Sequence, residues 1–148
     1  MVACRFCEID PQRNYVLKRY EYVFVMLSNP RLMPCHLLVV PNRHVEEPWQ
    51  LESHEREQIF NITIALQERI VIHAKLAPWV DICQHYRPSL PEGDEKVNHY
   101  HMHLRPRQPY DSLYLQAQVG ESALFRAGML SPAQMIAEGV MAYSALYS

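Results

Sequence analysis

The sequence predicts an α+β fold, an antiparallel meander sheet of about five strands with one long helix and further C-terminal helices. Three observations predict it: short runs of β-branched and aromatic residues divided by turn residues, helical apolar spacing after residue 53, and strict alternation over residues 97–106. Short loops link strands that are neighbours in the chain, which favours antiparallel pairing.

The strands are predicted from four segments. Residues 14–28 are rich in Tyr, Val and Phe, and a break near 19–21 divides them into two strands joined by a tight turn. Residues 36–41 are a continuous apolar run, which suits a strand covered on both faces. Residues 79–86 and 97–106 supply the fourth and fifth strands.

The long helix is predicted from a single apolar stripe. Ser53 is its predicted N-cap, and Pro78 ends it. Residues 110–148 are predicted to be helical in two pieces, divided near Gly128 and Ser131. Spacings of three and four relate the members of the stripe, which are Ile59, Ile62, Leu66, Ile70, His73 and Ala77.

Composition narrows the function classes. The chain has 148 residues, a formal net charge of −2 and no clustered Lys and Arg, which argues against a protein that coats DNA. No apolar run approaches the roughly 20 residues that span a bilayer, and the N-terminus does not resemble a signal peptide. We therefore expect a cytoplasmic protein with no membrane or DNA partner. Its four cysteines are expected to be reduced thiols or metal ligands.

Three histidines at period two are the main functional signal. His99, His101 and His103 would lie on one face of a strand, while the residues between them face an apolar core. If the three histidines were ligands of one metal ion, the outer two would leave the strand about 13 Å apart. One ion could then bind all three only if the strand bent strongly. Alternatively, one histidine is a nucleophile, and its neighbours orient it and bind anionic oxygens. A linear row suits a phosphate chain.

Three motifs in order resemble those of the histidine triad (HIT) proteins. HYHMHLRP at residues 99–106 matches the His-x-His-x-His signature, and PCHLLVVPNRHV at 34–45 matches the upstream strand and its flanking histidines. CRFCEI at 4–9 is similar to the Cys-x-x-Cys opening of many members. The resemblance covers residues 1–106.

The resemblance implies one HIT-like domain over residues 1–148, of which 107–148 would be a C-terminal helical segment. It implies a nucleotide hydrolase or nucleotidyl transferase that acts at the α-phosphorus of a nucleoside phosphoramidate or dinucleoside polyphosphate. His101 would be the nucleophile and form a nucleotidyl-histidine intermediate. His103 and His36 would contact phosphate or support the nucleophile.

The sequence departs from the family pattern in places that bear on the substrate. Ser28 stands where the family commonly has an Asp that holds ribose, and Cys35 stands where it has a Gly. The Gly-x-x-Ser segment before the triad is replaced by residues 85–98, and the candidates for the missing serine's role are Ser89 and Asn98. Arg105 is near enough in sequence to be a candidate donor to phosphoryl oxygens.

The N-terminal cysteine pair has two interpretations on its own, as unrelated thiols or as a redox pair. A redox pair normally opens a helix after a strand, and only three residues precede Cys4. Zinc-bearing members of the resembled family use this pair, the histidine that ends the upstream motif and the first histidine of the triad. The resemblance thus implies a structural zinc site of Cys4, Cys7, His44 and His99.

Two other functions stay open. Ser28 and the missing Gly-x-x-Ser segment motivate a nucleotide-binding module with little turnover. A metal-dependent hydrolase would use the histidine row as ligands. The resemblance also implies a nucleotide partner with a purine mononucleotide moiety and a homodimer, to which residues 54–77 and an edge strand could contribute.

Overall fold

The computed structural model describes residues 3–84, 90–93 and 96–147, and it confirms the α+β fold with a five-stranded antiparallel sheet. The strand order is β1-β2-β3-β5-β4, so the sheet departs from a simple meander at one point. The helix after β3 carries the chain across the sheet to β4 at the edge, and β5 fills the position between them. The strands are β1 (Val16–Arg19), β2 (Val23–Leu27), β3 (Leu37–Pro41), β4 (Trp79–Gln84) and β5 (Met102–Arg107).

The helices also follow the prediction closely. α1 spans Ser53–Glu68 and continues as a π-helical turn, Arg69–His73. A 3-10 turn, Pro48–Gln50, precedes it. The break predicted near Gly128 separates the last two helices. These are α2 (Val119–Ala127), which follows a π-helical turn at Tyr114–Gln118, and α3 (Pro132–Tyr147).

The chain divides into two compact units, Met1–Pro109 and Tyr110–Ser148. The first unit contains the whole sheet and α1, and the second contains α2 and α3. Every described residue of α3 is exposed. Among the residues that the structure describes, no helix has the length and apolar character needed to cross a membrane.

The first unit has apolar cores on both faces of its sheet, because strand residues alternate between the faces. On one face, α1 covers a cluster that includes Ile59, Val39 and Leu104. On the other face, the N-terminal segment places Phe6 over a second cluster. The other buried members of this second cluster are Phe24, Met26, Leu38 and Val40.

The start of α1 differs from the prediction by one residue. The N-cap is Glu52, and its backbone N–H donates to Oε2 of Glu55 at 2.8 Å, so Ser53 is the first helical residue. The carboxylate of Glu55 is buried and also accepts from two nitrogens of Arg43, at 3.0 and 2.7 Å. Arg43 thereby lowers the pKa of Glu55, because the guanidinium favours the charged carboxylate.

We expect Glu55→Gln to lower the free energy of unfolding at pH 7 by about 1 kcal/mol, since it removes a charge-assisted bond to a half-exposed arginine. The folded-state pKa of Glu55 lies below its ordinary value of 4.5, so the stabilisation is fully present above that value. It is lost as the pH falls through the lowered pKa. Urea unfolding of both proteins at pH 7 and at pH 3 measures the difference, and an equal difference at the two pH values would contradict the assignment.

Candidate functional site

The three histidines of the triad are buried under the N-terminal segment. Their exposed fractions are 1% for His99, 4% for His101 and 7% for His103. The residues between them pack against the core beneath α1, which confirms the predicted alternation. β5 begins only at Met102, however, because the backbone N–H of Tyr100 donates to the Val45 carbonyl at 2.6 Å and not to a strand partner.

Backbone geometry fixes the protonation pattern of His101. Its Nδ1 lies 2.6 Å from the carbonyl oxygen of His99. A carbonyl oxygen only accepts, so Nδ1 carries the hydrogen and donates it. In the neutral ring, Nε2 then carries the lone pair. This is the tautomer that a nucleophilic imidazole requires, with the carbonyl holding the orientation of the ring.

A second chain of hydrogen bonds defines the adjacent pair of imidazoles. The backbone N–H of Leu32 donates to Nδ1 of His36 at 3.1 Å, so the hydrogen of the neutral His36 ring lies on Nε2. That nitrogen is 2.7 Å from Nδ1 of His103, which therefore accepts. Nε2 of neutral His103 then carries a hydrogen, which makes it a donor suited to a phosphoryl oxygen. The rings of His101 and His103 have centroids 4.8 Å apart.

A cavity of about 340 Å³ lies against these imidazoles. Phe6 forms one wall, and its ring meets the His101 ring edge to face with centroids 5.1 Å apart. Thus the N-terminal segment encloses the site as well as packing on the sheet. The other lining residues are Arg5, Asn14, Met26, Ser28, Asn29, Pro30, Arg31, Leu32, His36, Leu38, Val97, His101, His103 and Arg105.

The three candidate nucleotide contacts, Ser28, Arg105 and Asn98, differ in whether they line the cavity. Ser28 lines the cavity, and its Oγ donates to the Pro30 carbonyl at 2.7 Å, which leaves oxygen lone pairs that can accept from a hydroxyl. Arg105 also lines the cavity. Asn98 is not among the described lining residues, and its backbone N–H donates to Oε1 of Glu92 at 3.3 Å. Ser89, the other candidate for the missing serine's role, lies outside the described residues.

Several lining residues carried no signal in the sequence. Asn14, Asn29 and Arg31 belong to irregular segments, and such polar residues are common in loops. Their place in the cavity depends on how these segments fold beside β2 and β3. The nearest signal was Ser28, which shares a loop with two of them.

The backbone at Cys35 explains the glycine of the family pattern. Its φ is 60°, in the left-handed region that glycine adopts without a steric penalty. Cys35 is partly buried against the core beneath α1, directly before His36. The loop therefore keeps its glycine-like conformation with a larger side chain.

Four side chains, one of them His99 of the triad, form a second cluster beside His101 and His103. Sγ of Cys4 and Sγ of Cys7 lie 3.3 and 3.6 Å from Nδ1 of His99, and Sγ of Cys7 lies 3.3 Å from Nδ1 of His44. All four ligand atoms fall within 4.8 Å of one another. Zinc–sulfur bonds of about 2.3 Å and zinc–nitrogen bonds of about 2.0–2.1 Å imply tetrahedral S···N edges of about 3.6 Å. The cluster therefore fits a zinc ion.

The protonation of the cluster agrees with this fit. Nε2 of His99 donates to the Pro41 carbonyl at 2.9 Å, so Nδ1 turns its lone pair toward the cysteines. Burial, aided by nearby His44, lowers the pKa of His99 to about 4, which keeps the ring neutral. Desolvation and the hydrogen bond with Cys4 raise the pKa of the Cys7 thiol to about 11, so binding of a metal would release a proton.

The fold and the buried triad together define the class. The family model of the HIT domain matches residues 11–110, and the chain belongs to the HIT family.

Solved structures share the fold at low sequence identity. A zinc-bound histidine triad family protein from Mycobacterium smegmatis is 18% identical, with a TM-score of 0.62 over 75% of this chain and 79% of that one. A HIT family protein from Bacillus anthracis is 17% identical, with a TM-score of 0.61 over 88% and 99% of the two chains. A HIT family hydrolase from Legionella pneumophila is 18% identical, with a TM-score of 0.55 over 74% and 97%.

Proposed function

We propose that this chain is a nucleotide hydrolase or nucleotidyl transferase that acts at an α-phosphorus through His101. One observation carries the proposal: the His99 carbonyl holds Nδ1 of His101, so the lone pair of this ring lies on Nε2 beside the cavity. The fold shared with proteins described as HIT family hydrolases, from Legionella pneumophila and Clostridium thermocellum, supports the same class.

The proposed reaction has two balanced steps. The Nε2 lone pair of His101 forms a bond to phosphorus, and the leaving group departs with the electron pair of its own bond and takes up a proton. Water or another acceptor then attacks phosphorus, loses a proton and releases the imidazole. Nε2–H of His103 stabilises the charge on the phosphoryl oxygens, while His36 fixes the tautomer of His103.

The nucleotide contacts follow from the cavity. The Ser28 hydroxyl accepts from a ribose hydroxyl, and Arg105 binds phosphate. Asn98 remains a candidate contact for the leaving group. The substrate is a nucleoside phosphoramidate or dinucleoside polyphosphate with a purine mononucleotide moiety.

The proposed cofactor is one structural zinc ion at Cys4, Cys7, His44 and His99. It would attach the N-terminal segment to the sheet, because two ligands come from each part of the chain. Nδ1 of His99 faces the cysteines while Nδ1 of His101 faces a carbonyl, so the histidine row does not converge on one point as a catalytic metal site requires. A cytoplasmic setting keeps the thiols reduced for zinc.

Release of AMP tests the proposed function. We expect the native chain to release AMP from adenosine phosphoramidate or from diadenosine polyphosphates, with the products separated by chromatography. No release from any of these substrates, together with AMP binding measured by calorimetry, would favour the nucleotide-binding module instead.

We further propose a homodimer, because α1 and the turn after it carry a second apolar stripe that faces outward. Phe60 is 61% exposed, and Ile64, Ile72 and Leu76 are also exposed. Ile64 follows Phe60 by four positions, which places these two side chains on one face of α1. Nearby β4 is an edge strand of the sheet, and edge strands can pair with a second chain.

We expect light scattering to give about twice the 17.4 kDa of one chain. Phe60→Glu should shift the mass toward one chain, because it buries a charge in the interface. Asn61→Glu adds the same charge at an adjacent exposed position and should leave the dimer intact. A monomeric native chain, or equal effects of the two substitutions, would contradict the proposed interface.

A further inference from the structure

The wall of the cavity is cationic although the chain as a whole is not. The formal net charge of the protein is −2, yet Arg5, Arg31 and Arg105 line the cavity, and no carboxylate does so among the described residues. The other polar lining groups away from the imidazoles are the neutral side chains of Ser28, Asn14 and Asn29. A cavity of this charge favours an anionic ligand.

Among these three cations, Arg105 lies on a strand of the sheet itself. It follows His103 by two residues on β5, so its side chain leaves the same face of the strand. Its side chain is 23% exposed, and Nε is buried with no hydrogen-bond partner in the described parts of the chain. A buried donor in this state is costly unless a ligand accepts from it.

The carboxylate nearest to Arg105 already accepts a hydrogen bond from a second arginine. Asp81, across from it on β4, lies 4.0 Å from Nη2 of Arg105 and accepts a hydrogen bond from Nη1 of Arg107. Arg107 is buried, so two guanidinium groups share one carboxylate at this end of the sheet. Of these two guanidinium groups, that of Arg105 lies farther from the carboxylate, and Arg105 is the one that lines the cavity.

A single phosphate does not account for both the imidazole donors and the guanidinium of Arg105. In the proposed function, the phosphate under attack lies at the imidazoles of His101 and His103. The Cα atom of Arg105 lies two residues farther along β5, about 6.6 Å from the Cα atom of His103. A planar guanidinium at this position can bind a second anionic group through two parallel N–H···O hydrogen bonds.

We infer that Arg105, with Arg31, forms a second anion site, and that the substrate is a nucleotide with a further phosphate besides the one attacked. The inference rests on the proposed function for the place of the first phosphate. The second phosphate belongs either to the phosphate chain or to the sugar, and both present the same chemistry to a guanidinium.

Calorimetry with three ligands that lack a cleavable α-phosphoryl bond tests this second site. They are AMP, the α,β-methylene analogue of ADP, and adenosine 3′,5′-bisphosphate. We expect at least one of the two-phosphate ligands to bind the native chain about 10- to 100-fold more tightly than AMP. The ligand with the advantage assigns the second phosphate to the chain or to the sugar.

Variants connect this advantage to the two arginines. Arg105→Gln should remove most of it, whereas Arg105→Lys should keep part of it, because charge remains but the fork is lost. Arg31→Gln should remove less, since this side chain is exposed. Arg69→Gln removes one charge from the turn after α1, on the other face of the sheet, and should leave all three affinities unchanged.

The outcomes separate this inference from the proposed function. Equal affinity for all three ligands, or an advantage that survives both Arg105→Gln and Arg31→Gln, would overturn the second anion site. Tight binding of a two-phosphate ligand by a chain that releases no AMP from any substrate would instead overturn the proposed catalysis alone. Added salt should reduce the advantage, because it screens the charges of the site.

Discussion

Replacing His101 with alanine is expected to reduce the release of AMP by about 10⁴-fold or more, because no other described group would supply the nucleophile. Nε2 of His101 carries the lone pair while Nδ1 is held by the His99 carbonyl. Alanine removes both ring nitrogens. AMP release under single-turnover conditions measures the effect, and binding of AMP by calorimetry verifies that the cavity persists.

Two further histidine variants serve as a comparison and a control for this result. His103→Ala removes a donor to the phosphoryl oxygens but not the nucleophile, so a smaller loss of about 10²- to 10³-fold is expected. His73→Ala alters an exposed histidine of the turn after α1 and should have no effect.

A trapping experiment tests the intermediate directly. With substrate labelled at the α-phosphorus, the native chain and His103→Ala should retain label after rapid denaturation at alkaline pH, and His101→Ala should not. A His101→Ala chain with nearly native turnover would refute a nucleophilic role for this residue. Label on a different histidine would move that role to the residue that carries it.

Local periodicity explains why so much of this fold could be predicted from the sequence. Each strand and α1 obtains its pattern from alternation or helical spacing within one segment, so strands at residues 36–41 and 79–86 could be predicted without knowledge of their neighbours. Residues 85 and 86 lie outside the part of the chain that the structure describes. The pairing of β3 with β5 could not, because it depends on where the chain returns after α1.

The candidate site shows the same division between local and distant information. The alternation around His101 was evident, but the start of β5 was placed too early, because a hydrogen bond from Tyr100 to Val45 takes the chain out of the sheet. The set of proposed zinc ligands came from motif resemblance, since no spacing rule joins Cys4 to residue 99. Arg31 had no signal, because its role depends on how a loop folds over the sheet.

Loss of the metal cluster is expected to have the largest effect on stability. The purified native chain should contain one zinc ion, and Cys7→Ser should contain almost none. The melting temperature should fall by about 10 °C, since zinc binds the folded state and contributes to its stability. Cys83→Ser makes the same change at a partly buried cysteine outside the cluster, and its zinc content should equal that of the native chain.

The kinetic consequence of the same variant distinguishes a structural from a catalytic metal. The N-terminal segment between the cysteines supplies Phe6 and Arg5 to the cavity wall, so its release should raise KM. The tautomer of His101 depends on a backbone carbonyl, and kcat should therefore fall much less than in His101→Ala. If folded Cys7→Ser instead lost kcat as completely as His101→Ala, the metal would take part in the reaction, and the histidine row would have to be reinterpreted as part of a metal-dependent hydrolase.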